Sequence, residues 1–229
     1  MSSLAPNQVV RGDILIHKSF ALGMNWRHAM IRAGQFLTGS PIHSNSVHAS
    51  IAVGGGDDEV RIVESTGKGV NDAVCESEAD VFRLVQSGPL PDRAAGVAER
   101  LLDRTHDRKT SGGKPAGHYN MWRSAFSVIR PEYYDKKAGT LIDNVGKALA
   151  NGSDYGDGFF CSMLVVICYD VAGQELKLPS PPILKDPMNL NPSNLQAYLL
   201  DHPDVWQLVG TVNEAKDWID RIFSIESGE

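Results

Sequence analysis

Only three cysteines occur among 229 residues, at positions 75, 161 and 168. They are too few, at the wrong spacings, for a disulfide framework or a zinc knuckle. No stretch approaches the roughly 18 to 20 consecutive apolar residues that a bilayer-spanning helix needs, so no transmembrane segment is expected. Basic charge is not in surplus: 22 Lys and Arg stand against 28 Asp and Glu, a net charge of −6. Phosphate binding needs a basic face, and these cations are dispersed, so nucleic acid is not expected as a partner. Arg104, Arg108, Lys109 and Lys114 form a modest basic stretch that reads as a solvated loop. No Gly/Ser linker or charge block divides the chain. The Pro-rich run 179–187 is short enough to be a rigid connection or one wall of a cleft. Residues 1–229 are therefore read as a single domain able to bury a full core. Residues 1–8 lack the basic start and apolar run of a signal peptide, so synthesis in the cytoplasm is the expectation. Free cysteines suit that compartment.

What the chain does have is a cysteine placed for chemistry. Asp154-Tyr155-Gly156-Asp157-Gly158-Phe159-Phe160 is a glycine-punctuated loop running into an apolar helix, Cys161-Ser162-Met163-Leu164-Val165-Val166-Ile167, expected to end before Gly173. Cys161 then sits in the first helical turn, where unpaired N–H groups and the positive end of the helix dipole favour a thiolate. Cys168 lies on the same helix face about 10 Å further along, beyond disulfide reach, and reads as a small buried hydrophobe. Cys75, in Val74-Cys75-Glu76-Ser77-Glu78, is flanked by acids that would raise its pKa and also reads as structural.

A thiolate nucleophile needs a base. Of seven histidines, His17 falls at the end of a strand, His28 on a helix, His106 and His118 beside loops, and His202 before Pro203. His48 differs. In Val47-His48-Ala49-Ser50-Ile51-Ala52-Val53 the alternation sends Val47, Ala49, Ile51 and Val53 to the core and His48, Ser50 and Ala52 to the opposite surface. A hairpin loop, Gly54-Gly55-Gly56-Asp57-Asp58, leads to a second strand over 59–65. With a five-residue loop, Val53 pairs with Glu59 and His48 falls directly opposite Glu64. That carboxylate could orient the imidazole, completing a nucleophile–base–orienter set, although a cross-strand His/Glu pair is also a common solvated surface feature. Ser50 and Asp13 are the alternative orienters. A one-residue change in loop length would turn Glu64 to the other face.

The order of these elements carries a resemblance. Arg11-Gly12-Asp13-Ile14-Leu15, Ser46-Val47-His48-Ala49-Ser50-Ile51, Val63-Glu64-Ser65 with Gly69-Val70, Gly117-His118-Tyr119-Asn120, Phe160-Cys161-Ser162 and Asn191-Pro192-Ser193-Asn194-Leu195 occur in that sequence. Together they resemble the circularly permuted NlpC-like (YiiX-like) cysteine hydrolases of the papain-like superfamily, in which the histidine precedes the cysteine. The chain departs from that group at Met163, where an acid usually follows Cys-Ser, and at Asn120, where an aspartate usually follows the tyrosine. The resemblance implies a permuted papain-like α+β fold, with an antiparallel sheet packed against helices that include a central Cys-bearing helix. It also implies a Cys161 nucleophile, a His48 base and Glu64 as orienter, with neither metal nor cofactor. Tyr119 is a candidate second oxyanion donor, or else a buried aromatic, and Ser162 a candidate oxyanion or substrate-binding residue.

The periodicity agrees with an α+β chain. Strands are expected at 12–16, 82–85 and 205–209. Helices are expected around Trp26, Met30, Ala33 and Leu37, over 91–107, around Leu141, Ile142, Val145 and Leu149, and from the Asn191 cap with Pro192. A final helix is expected behind a Thr211/Glu214 capping box. The leading functional expectation is amide cleavage, with peptidoglycan stem peptides as the substrate partner. A chain of this size also resembles cell-wall-targeting effectors of type VI secretion systems, which implies action in the periplasm of a target cell and a cognate immunity protein. Two other readings stand beside it: lipid acyl hydrolysis or transfer of the lecithin:retinol acyltransferase type, which would need an apolar groove, and a non-catalytic binding module.

Overall fold

Aliphatic residues alternating with polar ones build six strands: β1 (Ile14–Lys18), β2 (Ser46–Gly55), β3 (Val60–Thr66), β4 (Gly69–Val74), β5 (Ala79–Leu84) and β6 (Trp206–Val212). Four α-helices accompany them: α1 (Leu90–Thr110), α2 (Asp135–Asn151), α3 (Cys161–Glu175) and α4 (Pro192–Asp201). The computed structural model describes residues 2–18, 46–66, 69–86, 88–110, 135–152, 159–187 and 190–213. The strands form one antiparallel sheet in the order β4-β3-β2-β1-β5-β6, so the described residues are α+β, as the periodicity predicts.

Both faces of this sheet are buried, for different reasons. Ile14, Ile16, Ala49, Ile51, Val63 and Phe82 meet the apolar sides of all four helices in one large core. Leu15, Ala52, Val60, Ile62 and Val81 form a second cluster with Val9, Cys75, Ala79 and Val212. A flat six-stranded sheet would hold its edge strands about 24 Å apart at ~4.8 Å per strand. Here Asn213, just after β6, donates through Nδ2 to the carbonyl of Cys75, just after β4. The sheet therefore curls until one end of each edge strand comes within reach of the other, and the second cluster fills the curl.

The helix α3 is the centre of the helical layer. Every residue from Cys161 to Gly173 is buried, the pattern of a helix enclosed on all sides. It packs against α1, β2 and β3. Its far end is tied to the sheet by Tyr169, whose hydroxyl donates to the carbonyl of Gly12. Gly12 has φ +89°, and a Cβ there would stand 2.4 Å from the Pro91 carbonyl oxygen, so only glycine allows this approach.

Several sequence expectations need adjustment. β1 begins at Ile14, two residues late, because Gly12 lies in the turn. β4 was not anticipated: Asn71 and Asp72 are poor strand formers, and β4 is an edge held by its ladder with β3. α3 does not stop before Gly173 but runs to Glu175. Thr211 is not a helix cap; it lies in β6, with Oγ1 donating to Asp80 at 2.9 Å. The Asn191 cap is present, its side chain accepting from the Asn194 N–H at 2.8 Å. The expected helix around residues 26–37 and most of the expected final helix lie outside the described residues.

Two buried acids contrast sharply. Asp80 is 2% exposed, yet receives Lys18 Nζ at 2.6 Å, Gln196 Nε2 at 2.9 Å and the Thr211 hydroxyl. Asp170 on α3 is also buried, and its Oδ1 has no partner among the described residues. Burial pushes its pKa up to about 7. An acid raised above its unfolded value of about 3.9 binds more protons when folded, so stability falls as pH rises from about 4 to about 7. Asp170→Asn should therefore stabilise the protein at pH 8 by about 1–3 kcal/mol, with the gain shrinking as pH is lowered towards 5. Chemical denaturation at the two pH values reads this directly.

Candidate active site

His48 sits on a strand that is irregular on both sides of it. Against β1 the register moves from His17↔His48 to Lys18↔Ser46, leaving Val47 as an extra residue. Against β3 it moves from Ala52↔Ile62 to Gly54↔Arg61, leaving Val53 extra. The second bulge decides the site. Continued unbroken from Gly54↔Arg61, the ladder would set Glu64 opposite Ile51, on the helix-packed face. With Val53 bulged, Glu64 lies opposite Ser50 and shares a face with His48.

The sequence expectation that His48 and Glu64 lie directly opposite is thus corrected by two residues. The connection spans residues 56–59 rather than five residues, and the bulge restores the face that the shorter turn would have lost. The partnership itself forms diagonally: His48 Nε2 lies 2.7 Å from Glu64 Oε2. The other carboxylate oxygen receives Asn71 Nδ2 at 3.0 Å, and Asn71 Oδ1 in turn receives the Thr66 hydroxyl at 2.9 Å.

The β2–β3 ladder ends at Ser50↔Glu64, and where the strands part the start of α3 enters. Ser65 Oγ donates to the Phe159 carbonyl at 2.6 Å, fixing the approach. Phe160, the N-cap, offers no side-chain acceptor, so the first-turn N–H groups are not spent on a cap. The Cys161 sulfur accepts from the backbone N–H groups of Ala49 and Ser162 and is hydrogen-bonded to the His48 imidazole. With Nε2 committed to Glu64, Nδ1 is the ring nitrogen left for the thiol.

Electrostatics follow from this geometry. Burial alone would raise the Cys161 pKa, but the neighbouring imidazolium and the two N–H donors lower it. Burial likewise opposes charge on His48, and the thiolate and Glu64 raise its pKa instead. Burial resists ionisation of Glu64, yet its bonds from His48 and Asn71 hold the carboxyl below its usual range. These shifts all act in favour of a thiolate–imidazolium pair backed by a carboxylate. The other thiols move the opposite way: burial pushes Cys75 up to about 11 and Cys168 higher still.

Of the residues singled out from sequence, Cys161, His48 and Glu64 are brought together. Ser162 lies at the site through its N–H, while its hydroxyl is buried and donates to the Leu190 carbonyl. Tyr119 lies outside the described residues. Sequence reasoning missed Asn71 and Thr66, which sit on the unanticipated β4 and at the end of β3. From sequence His17 reads as an ordinary strand-end residue, although its ring lies 5.3 Å from that of His48. The available signal was period 2, which places His17 two residues after Leu15 on one face. No family model matches the chain, and no curated protein or solved structure does either.

The three cysteines should separate by reactivity. Brief iodoacetamide treatment near neutral pH, read by site-resolved mass spectrometry, should modify Cys161 at least about tenfold faster than Cys75 or Cys168, and the reaction should persist below the ordinary thiol pKa of ~8.5. Equal labelling of all three would contradict the ion pair.

Proposed function

We propose that this protein is a cysteine hydrolase that cleaves amide bonds. The observation that carries the reading is the continuous hydrogen-bonded chain from Cys161 through His48 to Glu64, with the thiol at the uncapped start of a helix. The Cys161 thiolate attacks the carbonyl carbon, and the carbonyl π electrons move onto oxygen. The Cys161 N–H at the helix start stabilises that oxyanion. Collapse breaks the C–N bond as His48 gives its proton to the leaving nitrogen, leaving a thioester and a neutral imidazole. His48 then takes a proton from water, the hydroxide adds to the thioester, and the C–S bond breaks to release the acid product and restore the Cys161 thiolate beside protonated His48. Glu64 holds the ring through both proton transfers and balances its charge whenever the imidazole is protonated.

Support for a permuted papain-like fold comes from the order of these parts: histidine strand, carboxylate strand, then a cysteine-bearing helix buried against an antiparallel sheet. The substrate reading, peptidoglycan stem peptides, rests on the ordered motifs in the sequence; delivery to a target cell's periplasm, and neutralisation by an immunity protein seated beside His48, rest on the resemblance of a chain of this size to cell-wall-targeting effectors. No described helix is long and apolar enough to cross a membrane.

Two outcomes test this reading. On isolated sacculi, Cys161→Ala should abolish release of stem-peptide fragments, His48→Ala should cost roughly 10²–10⁴-fold, and Glu64→Gln should leave a measurable remainder. Chromatography of the digests reads all three, and full activity of Cys161→Ala would remove the catalytic assignment. In bacteria, the protein should be toxic when directed to the periplasm and harmless in the cytoplasm, with toxicity lost in Cys161→Ala. Cytoplasmic toxicity with intact sacculi would instead point to another substrate.

A further inference from the structure

His17 faces His48 directly across the β1–β2 ladder and is 5% exposed. Its Nε2 lies 2.7 Å from Ser50 Oγ, and its Nδ1 lies 2.8 Å from Ser77 Oγ on the connection between β4 and β5. Ser50 is the residue opposite Glu64. The two imidazole rings are 5.3 Å apart and tilted by 51°. A leucine would fill such a buried position without calling on two hydroxyls. The arrangement suits a ring that must hold one orientation, because both nitrogens are bonded and each hydroxyl can either donate or accept.

We propose that His17 is a positioning residue for the reaction at Cys161: a second imidazole, clamped by Ser50 and Ser77, that holds the His48 ring in line with both Glu64 and the thiol. This inference rests on the cysteine-hydrolase reading. His48 must surrender and regain a proton while keeping its Nε2–Glu64 bond. Rotation of the ring at the neutral stage would break the alignment with Cys161. His17 sits against it from β1, where a substrate need not displace it. It can do so without competing for charge. Burial, with the His48 charge adding to it, drives His17 down to about 3, so it stays neutral while His48 is charged. The charged groups acting on it among the described residues are His48 from β2 and Glu64 from β3; those acting on His48 are Cys161 from α3 and Glu64.

The test is the pH dependence of Cys161 alkylation by iodoacetamide, a readout that needs no substrate, in the full chain and in two variants. His17→Phe keeps a ring and loses both hydrogen bonds; Ser77→Ala removes one bond at an exposed position. Both should shift the alkylation midpoint upward towards an ordinary thiol, with His17→Phe slowing the reaction roughly fivefold at about pH 6, the scale of one lost net hydrogen bond. Rates at about pH 9, where an ordinary thiol is already ionised, should match the unaltered protein. Variant curves that overlay an acid-shifted curve of the unaltered protein would overturn the role of His17 and leave the hydrolase reading intact. An ordinary thiol curve in the unaltered protein would overturn the reading itself, and this inference with it. If thermal melts show that His17→Phe does not fold, Ser77→Ala decides by the same criterion.

Discussion

The place where β2 and β3 separate is the feature on which the rest of the site depends. Two paired strands satisfy each other's backbone groups, and a helix start needs acceptors for its own. Below Ser50↔Glu64 the strands exchange no bonds. The opening takes in the entry to α3 instead, with Ser65 holding the Phe159 carbonyl and Ala49 donating to the Cys161 sulfur. A helix packed on one face of the sheet thereby delivers its first residue to an imidazole that belongs to the other face. Uninterrupted pairing would have sealed that route.

Charge is placed with the same economy of partners. Glu64 and Asp80 are both drawn out of water, and each is surrounded by donors from different elements. The Asp80 cluster joins β1, β5, β6 and α4, and Gln196 extends it to the Ser46 hydroxyl, two residues from His48. Buried carboxylates of this kind lock elements in register, because removing one partner strands a charge. Asp170 follows no such rule: it is buried on the helix that carries Cys161, with one oxygen unpaired among the described residues. Native chains tolerate a few such groups, and each reduces stability in the pH range where it must ionise.

The proposed amide-hydrolase chemistry draws on residues whose visibility in the sequence was unequal. Cys161 was legible because a glycine-rich loop followed by an apolar run marks a helix start from local sequence alone. Helices α1, α2 and α4 were legible for the same reason, through caps and 3.6-residue periodicity. β4 was not, since an edge strand carrying Asn71 and Asp72 takes its conformation from β3 rather than from its own propensities. Thr211 fitted a capping box locally, but its hydroxyl found Asp80 across the sheet. Gly173 suggested a helix end, and the enclosure of α3 carried the helix past it.

By itself, the sequence determined which residue types could do chemistry, and which elements would carry them: a thiol at a helix N-terminus, an imidazole on an alternating strand, a carboxylate on the next. These follow from short-range rules of spacing, capping and alternation. Tertiary structure alone decided that Glu64 meets His48, because one bulge at Val53 chooses the face on which the carboxylate emerges. It alone brought His17 beside His48 and gathered Ser77 and Asn71 around them. Such pairings join residues far apart in the chain, and a curled sheet sets them through register and closure that no local window contains.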